Sequence, residues 1–160
     1  TQEIYWDRLA VAYDVACPLV SRQLLSLTSA RLSRTGFAVP TLAPNRRLSY
    51  EYDRRVPFWD ARYPTGNYTA EGPVTELVAA EDGAVAIFGP GEEIHLEFTP
   101  PATDPKPGWT RRFVLEARGW CKDMDLYTKE GDTVDPVPGR REAAAAMLQR
   151  RYTTRYESGR

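Results

Sequence analysis

Residues 109–136 read WTRRFVLEARGWCKDMDLYTKEGDTVDP, and the other segments look like scaffolding for them. Phe113, Leu115 and Ala117 alternate with Val114, Glu116 and Arg118. That period of two is the pattern of a strand with one buried and one wetter face. Gly119 ends the run. The following Trp120-Cys121-Lys122-Asp123-Met124-Asp125-Leu126-Tyr127-Thr128 has no clean period and mixes charges with large side chains, so it reads as an ordered loop or a bulged strand end. Loops held by a rigid sheet commonly carry binding groups. Two readings of this one stand side by side. Trp120, Lys122, Asp123, Asp125 and Tyr127 form a recognition surface, or Trp120 and Tyr127 plug the core while Lys122 pairs with an aspartate and the aspartates cap turns.

Upstream, Ile94, Leu96 and Phe98 alternate with His95 and Glu97, a strand that turns His95 away from the Ile94 face. Val85 and Ile87 form a second alternating run, between the turn signals Glu81-Asp82-Gly83 and Gly89-Pro90-Gly91, and the two runs are expected to be adjacent antiparallel strands. Between Arg22 and Val39 the pattern changes parity. Leu25 and Leu27 fall on one face, whereas Ala30 and Leu32 fall on the other. One extra residue would restore a single buried face, which predicts a β-bulge near Thr28–Ser29; Gly36 and Pro40 are expected to close the segment. Residues 41–72 carry prolines at intervals that exclude long helices, and their aromatics, including Tyr50, Tyr52, Tyr63 and Tyr68, are expected to pin this irregular segment over the sheet as a lid or to present a ligand-facing surface. Asn67-Tyr68-Thr69 is a glycosylation sequon in form.

At the N-terminus, Tyr5, Leu9, Val11 and Tyr13 share one strand face with Asp7, while Ile4 and Trp6 lie on the other. Such a strand is central or sandwiched, and its Asp7 needs a partner. At the other end, Arg140-Arg141-Glu142 leads into four alanines, Met147, Leu148 and Gln149. This is the one clear helix, expected over about residues 140–152, with Ala144, Met147 and Leu148 as its apolar stripe and Arg150 and Arg151 at the end where cations suit the dipole.

With 160 residues the chain suits a single domain that needs neither metal nor disulfide to hold a core. Its 21 Lys+Arg nearly balance 22 Asp+Glu, so nothing in the total favours a polyanion, and nucleic acid is not an expected partner. Cys17 and Cys121 are too few for a disulfide framework and too far apart for a CxxC site, and either two buried thiols or one long-range bridge fits. No apolar run is long enough to insert in a membrane. The chain begins at Thr1, which suggests a piece of a longer protein.

The single histidine excludes multi-His metal sites and leaves one imidazole for any base. No G-x-S-x-G nucleophile elbow occurs. Asp123-x-Asp125 with Glu130 and Asp132 approaches a calcium loop but puts Tyr127 and Thr128 where an EF-hand needs a ligand and a glycine. A looser calcium site on Asp123 and Asp125 is the remaining metal candidate, and no other cofactor is expected.

Ile4-Tyr5-Trp6-Asp7, Gly91-Glu92-Glu93-Ile94 with Leu96-Glu97-Phe98, the run from Gly108 to Phe113, Gly119–Asp125, Thr133-Val134-Asp135-Pro136 and the ending Tyr152-Thr153-Thr154-Arg155-Tyr156 together resemble the C-terminal portion of FG-GAP (VCBS) repeat proteins of the ASPIC/UnbV, cartilage-acidic-protein-like group. The resemblance implies a mainly β module that follows a calcium-binding β-propeller in exported or surface proteins. The propeller's Asp-rich repeats are absent here, so its calcium is not carried over, and the resemblance supplies no catalytic residue. Val137-Pro138-Gly139 and Thr153 depart from the group's pattern near the end of the module.

The combined expectation is an antiparallel two-sheet β-sandwich, jelly-roll-like, with one C-terminal helix. Its leading function is a noncatalytic interaction module contacting a protein domain or a glycan, or docking to the propeller, through Trp6, Asp7, Trp120, Lys122, Asp123, Asp125 and Tyr127. The rival is a small enzyme or a cofactor- or metal-binding domain that uses the Lys122-Asp123-Met124-Asp125 loop. A third reading is purely structural, with Trp120 and Tyr127 buried at an interface with the parent protein or a second copy.

Overall fold

The computed structural model describes residues 19–56, 63–137 and 143–158. Their elements are β1 (Leu27–Arg34), β2 (Phe37–Leu42), β3 (Leu48–Val56), β4 (Gly66–Tyr68), β5 (Gly72–Pro73), α1 (Thr75–Val78), β6 (Glu92–Phe98), α2 (Ala143–Tyr152) and β7 (Arg155–Glu157). The protein is mainly β, in small antiparallel sheets ordered β5-β1-β6, β2-β3 and β4-β7. Trp6, Asp7, Cys17 and the expected N-terminal strand lie outside the described residues, as do residues 140–142 of the expected helix.

β1 is the centre of the main sheet. Its pairing with β6 shifts register between Leu27 and Ser29, so Thr28 is the extra residue that the change of parity called for. Beyond the bulge Ala30 and Leu32 face inward and are almost fully buried. They meet Val74 and Leu77 at α1, Ala84, and Ala145 of α2, with Leu27, Ile94, Leu96 and Leu148 packed around them. Removing these side chains from water is the main favourable term, about 25 cal/mol per Å² of apolar surface.

α1 is locked to β1 through its first turn. The Val74 N–H donates to the Ala30 carbonyl at 2.8 Å, and the Ala30 N–H donates to Thr75 Oγ1 at 2.9 Å. Thr75–Val78 is therefore one helical turn with Val74 at its N-cap. α2 forms where its helix formers predict, but its inner face is different from the expected stripe. Ala145 and Gln149 are buried, and Leu148 and Tyr152 pack against the core, whereas Ala144 and Met147 are exposed. The spacing 145, 148, 149, 152 is itself a helical face. A buried glutamine rotated it, because Gln149 has a backbone partner inside.

That partner replaces an expected strand. Val85 does not pair with β6: its N–H donates to Gln149 Oε1 and its carbonyl accepts from Gln149 Nε2, both at 2.8 Å. Ile87 in turn exchanges hydrogen bonds with Thr69, through the Thr69 hydroxyl at 2.8 Å and the Thr69 N–H at 2.9 Å. The backbone groups of Val85 and Ile87 are satisfied, but by a helix side chain and a neighbouring loop in place of a sheet. The Asp82-Gly83 turn forms as expected, with Asp82 Oδ1 accepting the Ala84 N–H at 2.9 Å.

The largest departure is the run 112–118. Phe113, Val114 and Leu115 are 71%, 91% and 65% exposed, and no strand forms there. The core is built around β1 instead. Pro40 does not close a segment either, since it sits within β2, which among the described residues pairs with β3 alone and where a missing N–H is tolerated. Tyr50 and Tyr52 are exposed on β3, so they present a surface and do not form a lid. Among the described residues no helix is long and apolar enough to cross a membrane.

Candidate functional site

Among the described residues three places hold chemistry. The first is the loop named by sequence. Trp120 is half exposed and Tyr127 is 88% exposed, so neither plugs the core. Asp125 Oδ1 accepts the N–H groups of Tyr127 at 2.9 Å and Thr128 at 2.7 Å. A hydrogen bond from the Thr128 side chain above all, and then the Tyr127 and Thr128 backbone donors, hold the Asp125 carboxyl below its ordinary value. Lys122 reaches neither aspartate. Its Nζ donates to the carbonyls of Asp135 at 3.2 Å and Val134 at 3.4 Å. Asp123 lies exposed. Gly131 packs so closely on the Asp123 carbonyl that a Cβ there would stand 2.9 Å from it. The loop's far end is anchored, with Thr65 donating to Asp132 at 2.7 Å and Val134 donating back to Thr65 at 2.9 Å. The structure thus places Lys122, Asp123, Asp125 and Tyr127 near one another, while the polar contacts of Lys122 and Asp125 hold turns together. Among the described residues no group of three or more His, Cys, Asp and Glu is arranged to hold a metal ion.

The second place is a charged hub where β1, β6 and β7 meet. The Glu92 side chain has no exposed surface. It takes the Arg155 guanidinium on both oxygens, with Nη2–Oε2 at 2.9 Å, and Oε2 also accepts the Gly89 N–H at 2.7 Å. Arg34, the cross-strand partner of Glu92, approaches Oε1 at 3.5 Å and reaches Glu157 at 3.0 Å. Burial pulls the Arg155 guanidinium down, but its bond to Glu92 and the charges of Glu92 and Glu157 outweigh that and raise it. Arg155 also lies 5.5 Å from the centre of the Tyr68 ring. Every charge here has a protein partner. The hub joins β1, β6 and β7 through a carboxylate with no exposed surface.

The third place takes in Tyr50 and Tyr52, whose segment the sequence left between a lid and a ligand-facing surface. β3 carries three residues, 52–54, between the partners of Ala38 and Val39, which are Arg55 and Glu51. Bulges of this kind redirect side chains. Beside it lies an open depression of about 330 Å³, lined by Phe37, Tyr50, Tyr52, Arg55, Gly91 and Glu93 among others. Its floor is fixed by Gly36 and Gly91, which have positive φ of 78° and 77°. The Gly91 carbonyl accepts the N–H groups of Thr35 and Gly36 at 3.0 and 2.9 Å, and the Phe37 ring packs against the bare Gly91 Cα. The Tyr50 and Tyr52 rings stand 6.4 Å apart, tilted by 43°. Arg55 pairs with Glu93 at 3.1 Å, and Arg54 pairs with Glu51 at 2.9 Å. The signal for this surface was in the sequence: Tyr50 and Tyr52 alternate with Ser49, Glu51 and Asp53 in a proline-free run.

His95 projects from β6 into solvent, 3.9 Å from Glu97, as its alternation predicted. Cys121 is a free thiol and is exposed, so it is neither bridged nor buried as the two expectations for it had it. No family model, no curated protein and no solved structure matches this chain.

Proposed function

We propose that this chain is a noncatalytic interaction module, a part of an exported or surface protein, that contacts a protein domain or a glycan through the β2–β3 face. The observation that carries the proposal is the exposed Tyr50–Tyr52 pair beside the Arg55–Glu93 ion pair, over an open depression. Exposed aromatics flanked by charged groups are the composition of recognition surfaces, where a rigid amphipathic ring gives contact area at little cost in entropy. The export and family parts of the proposal rest on the resemblance of the sequence motifs. In the finer architecture we propose, the β2–β3 hairpin and the β4–β7 pair supply the second layer of a small sandwich. The enzyme alternative at Lys122–Asp125 draws less support, because Lys122 and Asp125 are engaged with the backbone.

Thermal melts test the module reading, since a ligand that binds only the folded state raises the midpoint by mass action. Soluble oligosaccharides, a proline-rich peptide and calcium are each added to the wild type and to a Tyr50→Ala/Tyr52→Ala variant. At least one organic ligand is expected to raise the wild-type midpoint and to leave that of the variant unchanged. A shift that survives in the variant would move the site away from this face.

A further inference from the structure

We infer that the β2–β3 depression is a subsite for a neutral glycan, an inference that rests on the interaction-module reading above and names its ligand class. One face of a sugar ring is a patch of C–H groups and its edge is a row of hydroxyls, each both donor and acceptor. A site for it needs an exposed π surface with planar polar groups at the rim. Tyr50 and Tyr52 supply the surface, two residues apart on one strand. Their mutual tilt of 43° makes a bent platform, which suits a chain of rings that turns between units.

The rim fits the hydroxyls. Arg55 and Glu93 form an ion pair at 3.1 Å, with side chains 33% and 43% exposed. A guanidinium has five N–H donors and a carboxylate about four acceptor sites, so this pair keeps donors and acceptors for a third group. The charges cancel pairwise at Arg55–Glu93 and Arg54–Glu51, and the exposed Asp53 adds a single negative charge, so the rim concentrates neither sign strongly enough for a polyanion or a polycation. It matches an uncharged ligand that donates and accepts at once. The volume of about 330 Å³ is at the lower end of small-ligand sites, which span roughly 300–1,000 Å³. A proline-rich peptide also uses aromatic surfaces, but it docks in grooves between aromatic walls. Here the two exposed rings lie along a single strand, and the third aromatic of the depression, Phe37 of β2, is half-buried against Gly91.

The test titrates isotopically labelled protein with maltohexaose, cellohexaose, laminarihexaose and xylohexaose, and separately with a PxxP peptide, following backbone amides and fitting Kd by calorimetry. The expected result is that at least one hexaose shifts the amides of residues 36–38 and 50–55. Tyr52→Ala is expected to weaken it about tenfold, with Tyr52→Phe close to wild type and the melting midpoint unchanged. Arg55→Met is expected to weaken it as well, which a merely apolar contact would not show. If no hexaose perturbs these amides, or if binding survives in the Tyr50→Ala/Tyr52→Ala variant, the glycan inference is overturned. Binding of the PxxP peptide alone at the same amides would overturn it while leaving the module reading standing. Silence of the hairpin toward every probe would overturn the glycan inference and leave docking to a protein domain as the form of the module reading.

Discussion

β1 and residues 112–118 carry the same kind of sequence pattern and meet opposite fates. In β1 the alternating residues Ala30 and Leu32 are buried and the backbone is paired on both sides, with β5 and β6. In 112–118, Phe113 and Leu115 alternate as regularly, with larger apolar side chains, and remain exposed. Alternation states which residues would share a face. Burial requires a second surface to cover that face and free backbone groups to pair with. β1 finds the first in α1, Ala84 and α2, and the second in β6. A strong local pattern is therefore a statement about opportunity, and long-range partners decide whether it is used.

The largest test of the contrast is at the hub that ties β1 to β7. Arg155→Met leaves the Glu92 carboxylate buried without its main partner, and Arg34 at 3.5 Å compensates only in part. A loss of about 3–5 kcal/mol in chemical denaturation is expected. Glu92→Gln in the same background is expected to restore part of it by removing the orphaned charge. If Arg155→Met unfolds at the wild-type midpoint, the hub does not hold the sheets together.

Next in size is the core side of β1. Leu32→Ala is expected to cost about 2–5 kcal/mol, since Leu32 has no exposed surface and the cavity adds to the lost transfer energy. A value below about 1 kcal/mol would mean that the site collapses easily.

A smaller effect is confined to alkaline solution. Burial first, then the charges of Tyr63, Glu92 and Glu157, push the Tyr68 phenol up to about 12 from its ordinary 10.0. The folded state then holds this proton more tightly than the unfolded chain. Its contribution to stability is fully present below pH 10 and is lost as pH rises toward 12. The melting midpoint should fall across that window, and Tyr68→Phe should flatten that part of the curve.

The smallest effect belongs to the other half of the comparison. Leu115→Ala is expected to change stability by no more than about 0.5 kcal/mol, the usual range for an exposed side chain. A loss comparable to that of Leu32→Ala would show that residues 112–118 are buried in solution, and would remove the contrast.

Much of the architecture was legible because it depends on near neighbours. The bulge at Thr28 follows from counting residues between Leu27 and Ala30, and the outward His95 follows from the parity of β6. The helix at 143–152 follows from its alanines. The Gly36 and Gly91 turns follow because a bare Cα accepts positive φ. The candidate site was less legible. Tyr50 and Tyr52 could be seen to alternate with polar residues, but whether they faced the core or water depended on the unequal pairing of β3 with β2. In the same way, Asp125 reads as a ligand by type and is a turn cap by geometry.

The sequence alone determined the mainly antiparallel character, the bulge, the C-terminal helix and the balanced charge, since each depends on residue type and local spacing. Only the tertiary structure decided that Gln149 would take the backbone pairing of Val85, that Glu92 would be enclosed by Arg34 and Arg155, and that the aromatic platform would form on β3. These contacts join residues up to 64 positions apart. Competition among distant partners for the same backbone groups and the same buried space selects them, and no local window of the chain contains both competitors.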